Sequence, residues 1–160
     1  NWDFGDGGTS TVQDPIHAFG APGTYNVTLI VQNSAGCKDT ITKAITVYPI
    51  PEADFTFTNV CEGTAPTVFT DASTVPSGET IISWSWNFGD GTTSTQQNPA
   101  HLYAGYGTYD AQLIITSAKG CSDTMNKQVF VYPFPNADFS APEVCHGYQS
   151  LFTDLSTVAL

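Results

Sequence analysis

The chain of 160 residues contains no arginine, and its four lysines stand against fifteen aspartates and glutamates. Its formal net charge at pH 7 is therefore −11. A protein with this charge repels phosphate backbones and anionic lipid headgroups, and four scattered lysines cannot build a basic patch. We expect no nucleic-acid partner and no electrostatic binding to membranes.

Long apolar runs are absent as well. No run approaches the roughly 18–20 residues that a membrane-spanning helix needs, so we expect no membrane insertion. No segment keeps an apolar period of 3.6 residues, which predicts a helix content near zero. What the chain does have is 41% hydrophobic and 12% aromatic residues, enough to build a packed core.

An internal repeat organises the whole sequence. Asn1-Trp2-Asp3-Phe4-Gly5-Asp6-Gly7 returns as Ser85-Trp86-Asn87-Phe88-Gly89-Asp90-Gly91, 84 positions later. The same offset relates His17 to His101, Tyr25 to Tyr109, Cys37 to Cys121 and Cys61 to Cys145. We therefore divide the chain into the C-terminal part of one repeat (1–49), a complete repeat (50–133) and the N-terminal part of a third (134–160). Such periodicity is typical of a tandem array, and we expect the chain to be a stretch of one.

The repeat unit reads as all-β. The segment from Ile82 to Phe88 alternates apolar and polar residues, which predicts a half-buried strand with Trp84 and Trp86 facing inward. Further strands are expected at 25–32, 55–57, 68–70, 109–116 and 129–131, separated by glycine-containing turns. About seven short strands in some 80 residues favour an immunoglobulin-like β-sandwich. The Pro-x-Pro segments at 49–51 and 133–135 predict short, stiff linkers between repeats.

Three motifs at fixed spacing resemble one known family. Trp-x-Phe-Gly-Asp-Gly is followed by Pro-x-His-x-[Phe/Tyr] and then by Gly-x-Tyr-x-x-x-Leu, as in the PKD (polycystic kidney disease) repeat. The variant with Gly-Cys-x-Asp-Thr resembles arrays in large secreted surface proteins of Bacteroidota-type bacteria. The resemblance implies an extracellular, non-catalytic spacer and covers essentially the whole chain.

The Gly-Asp-Gly turns carry the most prominent acids. Asp6 and Asp90 are expected to accept hydrogen bonds from turn amides between glycines with special backbone angles. A calcium site at these two residues is the alternative, since carboxylates suit hard cations, but the spacing is not that of an EF-hand loop. No other cofactor is expected.

Recurring aromatic and histidine positions predict structure rather than chemistry. His17 and His101 are expected to pack near the core with backbone hydrogen bonds, because nothing places a nucleophile, a base and an orienting acid together. Tyr25 and Tyr109 are expected to form a tyrosine-corner contact. The alternation predicts that Trp84, Trp86 and Phe88 form a core stripe rather than a sugar-stacking platform. Trp2 and Phe4 hold the positions of Trp86 and Phe88 in the first repeat and are expected to be structural as well.

Cys37, Cys61, Cys121 and Cys145 are one pair of positions repeated. Two cysteines per repeat in a secreted chain suggest one disulfide per repeat, whereas no Cys-x-x-Cys pair supports zinc. In the simplest topology Cys61 and Cys121 lie at opposite ends of the repeat, a strand length apart, and a disulfide needs Cα atoms within about 7 Å. Three alternatives stay open: a bridge between neighbouring repeats, a bridge within one repeat, and free thiols.

Thr40 and Thr124 follow an aspartate and precede an aliphatic or methionine residue. This Asp-Thr pattern resembles the O-glycosylation site of the same bacterial group, which implies a glycan on each threonine. The alternative is two ordinary strand threonines.

For the function we expect a stalk, an adhesin shaft or a filament of the cell surface. The partners would be further repeats of the same chain, identical chains in a fibre, or surface glycans and matrix. The alternatives are a carbohydrate- or protein-binding accessory module and a spacer of a secreted hydrolase.

Overall fold

The computed structural model describes residues 1–76 and 78–158, and every regular element within them is a β-strand. No helix in this described part is long and apolar enough to cross a membrane. The first partial repeat contains β1 (Trp2–Asp3), β2 (Thr9–Ser10), β3 (Gly23–Gln32) and β4 (Lys38–Val47). The complete repeat contains β5 (Phe55–Phe57), β6 (Val60–Cys61), β7 (Thr67–Asp71), β8 (Ile81–Asn87), β9 (Thr93–Ser94), β10 (Ala100–His101), β11 (Gly107–Ser117) and β12 (Ser122–Tyr132). The third contains β13 (Phe139–Ser140) and β14 (Thr153–Asp154).

The complete repeat is a sandwich of two sheets, which confirms the predicted immunoglobulin-like fold. The smaller sheet has the order β10-β7-β5, and the larger one has the order β6-β12-β11-β8-β9. All neighbouring strands are antiparallel except β6, which runs parallel to the end of β12. The predicted β-sandwich with almost no helix is therefore correct.

Alternation along the strands explains why the sheets bury one face each. In β11, Ala111, Leu113 and Ile115 are fully buried, and the residues between them are exposed or half-buried. Successive side chains of a strand point to opposite sides, so this pattern turns one apolar face toward the smaller sheet. β11 pairs with β12 over ten residues from Gly107 to Thr116, which fixes that face in register.

Aromatic rings fill the space between the sheets. Phe55 and Phe69, from the smaller sheet, contact the Trp86 ring with centroids 5.1 and 5.4 Å apart. None of the three side chains is exposed to solvent. Burying each contributes about 1.5–3 kcal/mol to stability by the hydrophobic effect, so this cluster is a main source of the repeat's folding free energy.

One detail of the predicted strand at 82–88 is wrong. Continued alternation from Trp84 and Trp86 would turn Ile82 inward as well, but Ile82 is 62% exposed and Ile81 is the half-buried one. The cause is a register shift in the pairing of β8 with β11, between Thr116 and Ser117. Such a bulge places one extra residue in a strand and reverses the facing of everything beyond it.

The two partial repeats match complementary halves of the sandwich. The sheet β2-β1-β3-β4 has the order of β9-β8-β11-β12, and Trp2 pairs with Leu29 just as Trp86 pairs with Leu113. The hairpin of β13 and β14 corresponds to β5 and β7. Its Phe139 and Phe152 rings lie 6.0 Å apart, against 6.1 Å for Phe55 and Phe69.

Candidate functional site

The Gly-Asp-Gly turn lies against the backbone of the neighbouring long strand. Gly89 has φ +85°, and a Cβ placed on it would lie 2.7 Å from both the backbone nitrogen and oxygen of Asp110. Gly5 makes the same close approach to Asn26, at 2.7 Å from its carbonyl oxygen. Only glycine combines this conformation with this contact, which explains why the residue recurs.

The residue two positions before each of these glycines closes the turn in the same way. Asp3 accepts a hydrogen bond from the Gly5 amide at 2.9 Å, and Asn87 accepts one from the Gly89 amide at 2.9 Å. Because an amide oxygen replaces a carboxylate oxygen without changing this bond, the turn needs an acceptor here rather than a negative charge.

Asp90 links the turn to the histidine of the following motif. Its Oδ1 accepts hydrogen bonds from the Thr92 amide at 3.0 Å and the Thr92 hydroxyl at 2.6 Å. Its Oδ2 lies 2.7 Å from Nε2 of His101. Burial works to raise the pKa of Asp90, but the hydrogen bonds from Thr92 and His101 outweigh it and hold the pKa below its ordinary value.

Asp6 makes the equivalent contacts in the first partial repeat. Its carboxylate lies 2.7 Å from Nε2 of His17 and accepts a hydrogen bond from the Gly8 amide at 2.8 Å. The bond to His17 and the bond from Gly8 lower its pKa. Both oxygens of each aspartate thus have protein partners. Among the described residues no group of three or more His, Cys, Asp or Glu side chains could hold a metal ion.

The predicted packing of the histidines holds, but their predicted hydrogen-bond partner is wrong. The His101 ring stacks on Phe88 at 4.3 Å with an interplanar angle of 3°, and His17 stacks on Phe4 at 3.9 Å and 1°. Each ring is bonded to the turn carboxylate rather than to backbone groups. The carboxylate prevails because the turn is folded back over the ring, within reach of Nε2.

A column of aromatic rings continues from the histidine. Tyr103 meets His101 edge-on at 4.6 Å and stacks on Tyr109 at 4.1 Å. Its hydroxyl donates a hydrogen bond to the Phe88 carbonyl at 3.0 Å, and burial raises its pKa above the ordinary value. Tyr103, like Phe19, is the aromatic residue that ends the Pro-x-His-x-[Phe/Tyr] motif, but the sequence did not predict its place between the two rings.

Tyr25 and Tyr109 make the contact expected of a tyrosine corner. The hydroxyl of Tyr109 donates to the Gly105 carbonyl at 2.8 Å, and that of Tyr25 donates to the Ala21 carbonyl at 2.8 Å. Each bond spans four residues and holds the turn before the long strand. The two tyrosines therefore fix the path of the chain at this corner.

Trp86 is a core residue and Trp2 is half-buried, and the indole nitrogen of each has a hydrogen-bond partner. Nε1 of Trp86 donates to the Gln96 carbonyl at 2.9 Å, and Nε1 of Trp2 donates to the Gln13 carbonyl at 3.3 Å. Trp86 has no exposed surface. A sugar could not stack on it, because stacking needs an open ring face.

A polar clamp that sequence reasoning missed joins the start of β5, the first strand of the complete repeat, to β12, its last strand. Nζ of Lys127 lies 2.6 Å from the Asp54 carboxylate and donates to the Phe55 carbonyl at 2.5 Å. The Asp123 carboxylate accepts the Ala53 amide at 2.8 Å. The bond from Lys127 lowers the pKa of Asp54, and the bond from Ala53 lowers that of Asp123. In the Asp-Thr pair beside Cys121, the aspartate Asp123 thus has a structural role, which is to bind the Ala53 amide.

The candidate glycosylation sites lie on the outside of the sheets. Thr40 in β4 and Thr124 in β12 are both exposed. Thr124 lies on the face of β12 opposite to Asp123, and Thr40 holds the same repeat position in β4. An exposed hydroxyl is what a glycosyltransferase needs, and glycosylation of both threonines stays a prediction.

The cysteines lie at the two ends of the repeat and none is bonded to another. Cys61 pairs with Tyr132 at the end of β12, whereas Cys121 directly precedes Ser122 at its beginning. The eleven residues of β12 separate the two positions, a distance of about 36 Å at 3.3 Å per residue. A bridge within one repeat is therefore incompatible with this fold, since it needs Cα atoms within about 7 Å.

Each end of the complete repeat also contacts the neighbouring linker. At one end, Nζ of Lys119 lies 4.9 Å from the centre of the Tyr48 ring. At the other, the Glu62 carboxylate accepts hydrogen bonds from the amides of Tyr106 and Phe134, both at 3.2 Å. Tyr48 directly precedes the first Pro-x-Pro linker, and Phe134 lies inside the second. The contacts therefore restrict how adjacent repeats are joined.

Comparison with known proteins matches the chain to the PKD domain at residues 1–47 and 48–131. The chain is 41% identical over 63 residues to Collagenase ColA of Bacillus cereus, and this match covers 39% of the chain and 7% of the collagenase. The chain thus spans less than a tenth of that relative's length.

Several solved structures are similar to the chain. The PKD1 domain of the Vibrio cholerae metalloprotease PrtV is 34% identical, with a TM-score of 0.46, and the match covers 52% of this chain and 98% of that domain. A carbohydrate-binding module of the β-sandwich superfamily is 27% identical, with a TM-score of 0.51, over 59% of this chain and 39% of the other.

Proposed function

Because the chain belongs to the PKD domain family, we propose that it is a non-catalytic spacer of an extracellular protein, built from tandem repeats whose relative positions are fixed at each linker. In this role it extends as a stalk, an adhesin shaft or a filament, and carries a working domain or a partner away from the surface. The partners of each repeat are its neighbours in the chain.

The observation that carries the proposal is the pair of contacts at the ends of the complete repeat. Lys119 holds Tyr48 of the preceding repeat, and Glu62 holds the Phe134 amide in the following linker. The motif residues between these ends are used for packing, as the buried Trp86 and the stacked His101 show. The repeated residues thus stabilise the core of the domain, and the residues at its two ends contact the neighbouring repeats. Such a domain is suited to act as a spacer.

The relatives agree with a supporting role outside the cell. The collagenase and the metalloprotease carry their PKD domains as small portions of much larger enzymes. Collagen is an extracellular polymer, so an accessory domain of a collagenase works in that compartment. The net charge of −11 keeps parallel spacers apart by repulsion.

Electron microscopy of a length series tests the proposal. The full chain is compared with chains in which residues 50–133 are inserted again after position 133 once, twice and four times. We expect rods that lengthen by about 35–40 Å per inserted repeat, the length of an eleven-residue strand with its turn. A broad distribution of end-to-end distances at every length would contradict a spacer of fixed geometry.

A binding role is the second candidate, and Tyr106 favours it. This residue is 50% exposed in the turn Gly105-Tyr106-Gly107, and Glu62 holds its amide. The similar carbohydrate-binding module supplies the chemistry, since exposed aromatic rings stack on sugars. Retention of the chain on chitin, cellulose or insoluble collagen, lost in Tyr106→Ala and kept in Tyr48→Ala, would replace the spacer role by binding.

A further inference from the structure

The turn that carries Cys121 rests on the preceding repeat. The Ser117 amide donates to the Cys121 carbonyl at 2.8 Å, and the Gly120 amide donates to the Ser117 carbonyl at 2.9 Å, so the turn is tightly closed. Lys119 at its tip lies over the Tyr48 ring. Cys121 is two residues from that contact and half-buried. The turn thus places Cys121 two residues from a contact with Tyr48, near the end of the repeat before it.

Repeat symmetry shows what lies beside Tyr48. Tyr48 corresponds to Tyr132, 84 positions later. In the complete repeat, Tyr132 pairs with Cys61, and the Glu62 amide donates to the Tyr132 carbonyl at 2.9 Å. A cysteine therefore lies next to the tyrosine on which the turn of a following repeat rests.

We propose that neighbouring repeats are joined by a disulfide from Cys61 of one repeat to the cysteine at the Cys121 position of the next. Cys121 itself then bonds to the Cys61 position of the repeat before it. This inference rests on the proposed spacer function, because it requires consecutive repeats. It also accounts for the absence of any bond among the four cysteines of the chain, since none of their partners is within it.

Formation of the bond is an ordinary thiol–disulfide exchange. The two cysteine thiols lose two protons and two electrons as the sulfur–sulfur bond forms. A disulfide oxidant of low molecular mass accepts them and becomes two thiols. Such oxidants are available in extracytoplasmic compartments, where structural disulfides persist.

The test uses the full chain with one additional copy of residues 50–133 inserted after position 133. In the junction variant only Cys61 of the first copy and Cys121 of the second are kept, and all other cysteines become serine. In the matched control only Cys61 and Cys121 of the same copy are kept. Both are oxidised with glutathione disulfide, and free thiols and linked peptides are then measured by mass spectrometry.

We expect the junction variant to lose both thiols, without forming dimers, and to yield one linked peptide. The control should keep two reactive thiols or form mixed disulfides with glutathione. Closure of the control, or two persistent thiols in the junction variant, would overturn the disulfide proposal. Tryptophan fluorescence checks that both variants are folded.

A cysteine-free version of the inserted chain separates the two proposals. If it still forms rods of the expected length while the junction variant fails to close, the spacer function stands and the disulfide proposal fails. If it forms no rods although the junction variant closes, the bond exists but the contacts at Lys119 and Glu62 do not set the repeat geometry.

Discussion

Replacing Phe69 by alanine should destabilise the complete repeat strongly. Its side chain has no exposed surface and contacts Phe55, Trp86 and Phe88 with ring centroids 5.1–6.1 Å away. Phenylalanine-to-alanine changes at such positions cost about 3–5 kcal/mol, because lost burial and the remaining cavity add together. That is a large share of the roughly 5–15 kcal/mol that stabilises an ordinary domain.

The third partial repeat provides a matched control. Phe152 occupies the same Phe-Thr-Asp motif as Phe69, but it is 68% exposed because within residues 1–76 and 78–158 no second sheet faces it. Phe152→Ala should therefore change the unfolding free energy of the complete repeat by less than about 0.5 kcal/mol. The two substitutions have the same chemistry and differ only in burial.

Urea unfolding followed by tryptophan fluorescence measures the difference. Both variants carry Trp2→Phe, so that Trp84 and Trp86 report on the complete repeat alone. With a urea slope of about 1.5 kcal/mol per molar, a loss of about 4 kcal/mol lowers the midpoint by about 2.7 M. A shift below about 0.5 M for Phe69→Ala, or equal shifts for both variants, would refute the assignment of this core.

Three further predictions concern the turn and the clamp. The pKa of Asp90 lies below the ordinary value of 3.8, so the hydrogen bonds of its carboxylate stabilise the fold above pH 3.8. This stabilisation is lost as the pH falls through the lowered pKa. Urea midpoints measured from pH 6 to pH 2 should therefore fall less in Asp90→Asn than in the parent chain. Gly89→Ala should cost more than about 2 kcal/mol, because strain at positive φ adds to a collision with the β11 backbone. Gly91→Ala, at φ +90° with open space around it, should cost only about 1 kcal/mol in the same urea assay, and equal losses would contradict the close approach. Lys127→Met should destabilise the repeat by about 1 kcal/mol by freeing Asp54, and a double-mutant cycle with Asp54→Asn should show coupling between the two; independent effects would exclude the clamp.

Local patterns were sufficient to predict most of the fold. The alternation in β11 and the glycine turns depend only on neighbouring positions, and the period of 84 residues appears when the sequence is compared with itself. Ile82 was misplaced because a bulge depends on the pairing partner, which alternation alone does not show. A register shift between two strands leaves no mark in the sequence of either one.

Long-range polar contacts were the part that could not be predicted. Asp123 holds the Ala53 amide across 70 positions, and Lys127 holds the Phe55 carbonyl across 72. No regular separation along the sequence indicates either contact. The partner of His101 was missed for a related reason, since the turn brings Asp90 back over the ring only after the strands have paired.

The parallel pairing of β6 with β12 determines how the repeat responds when it is stretched. Tension enters near Glu52 and leaves near Tyr132, so it draws these two strands along their lengths in opposite directions. In this shear geometry the force is shared among the hydrogen bonds, which therefore break together rather than one after another. The bonds of Lys127 and Asp123 to the residues before and in β5 lie on the same route. The force therefore passes from β5 to β12 at the edge of the sandwich. The aromatic core bears no load until the hydrogen bonds at that edge break.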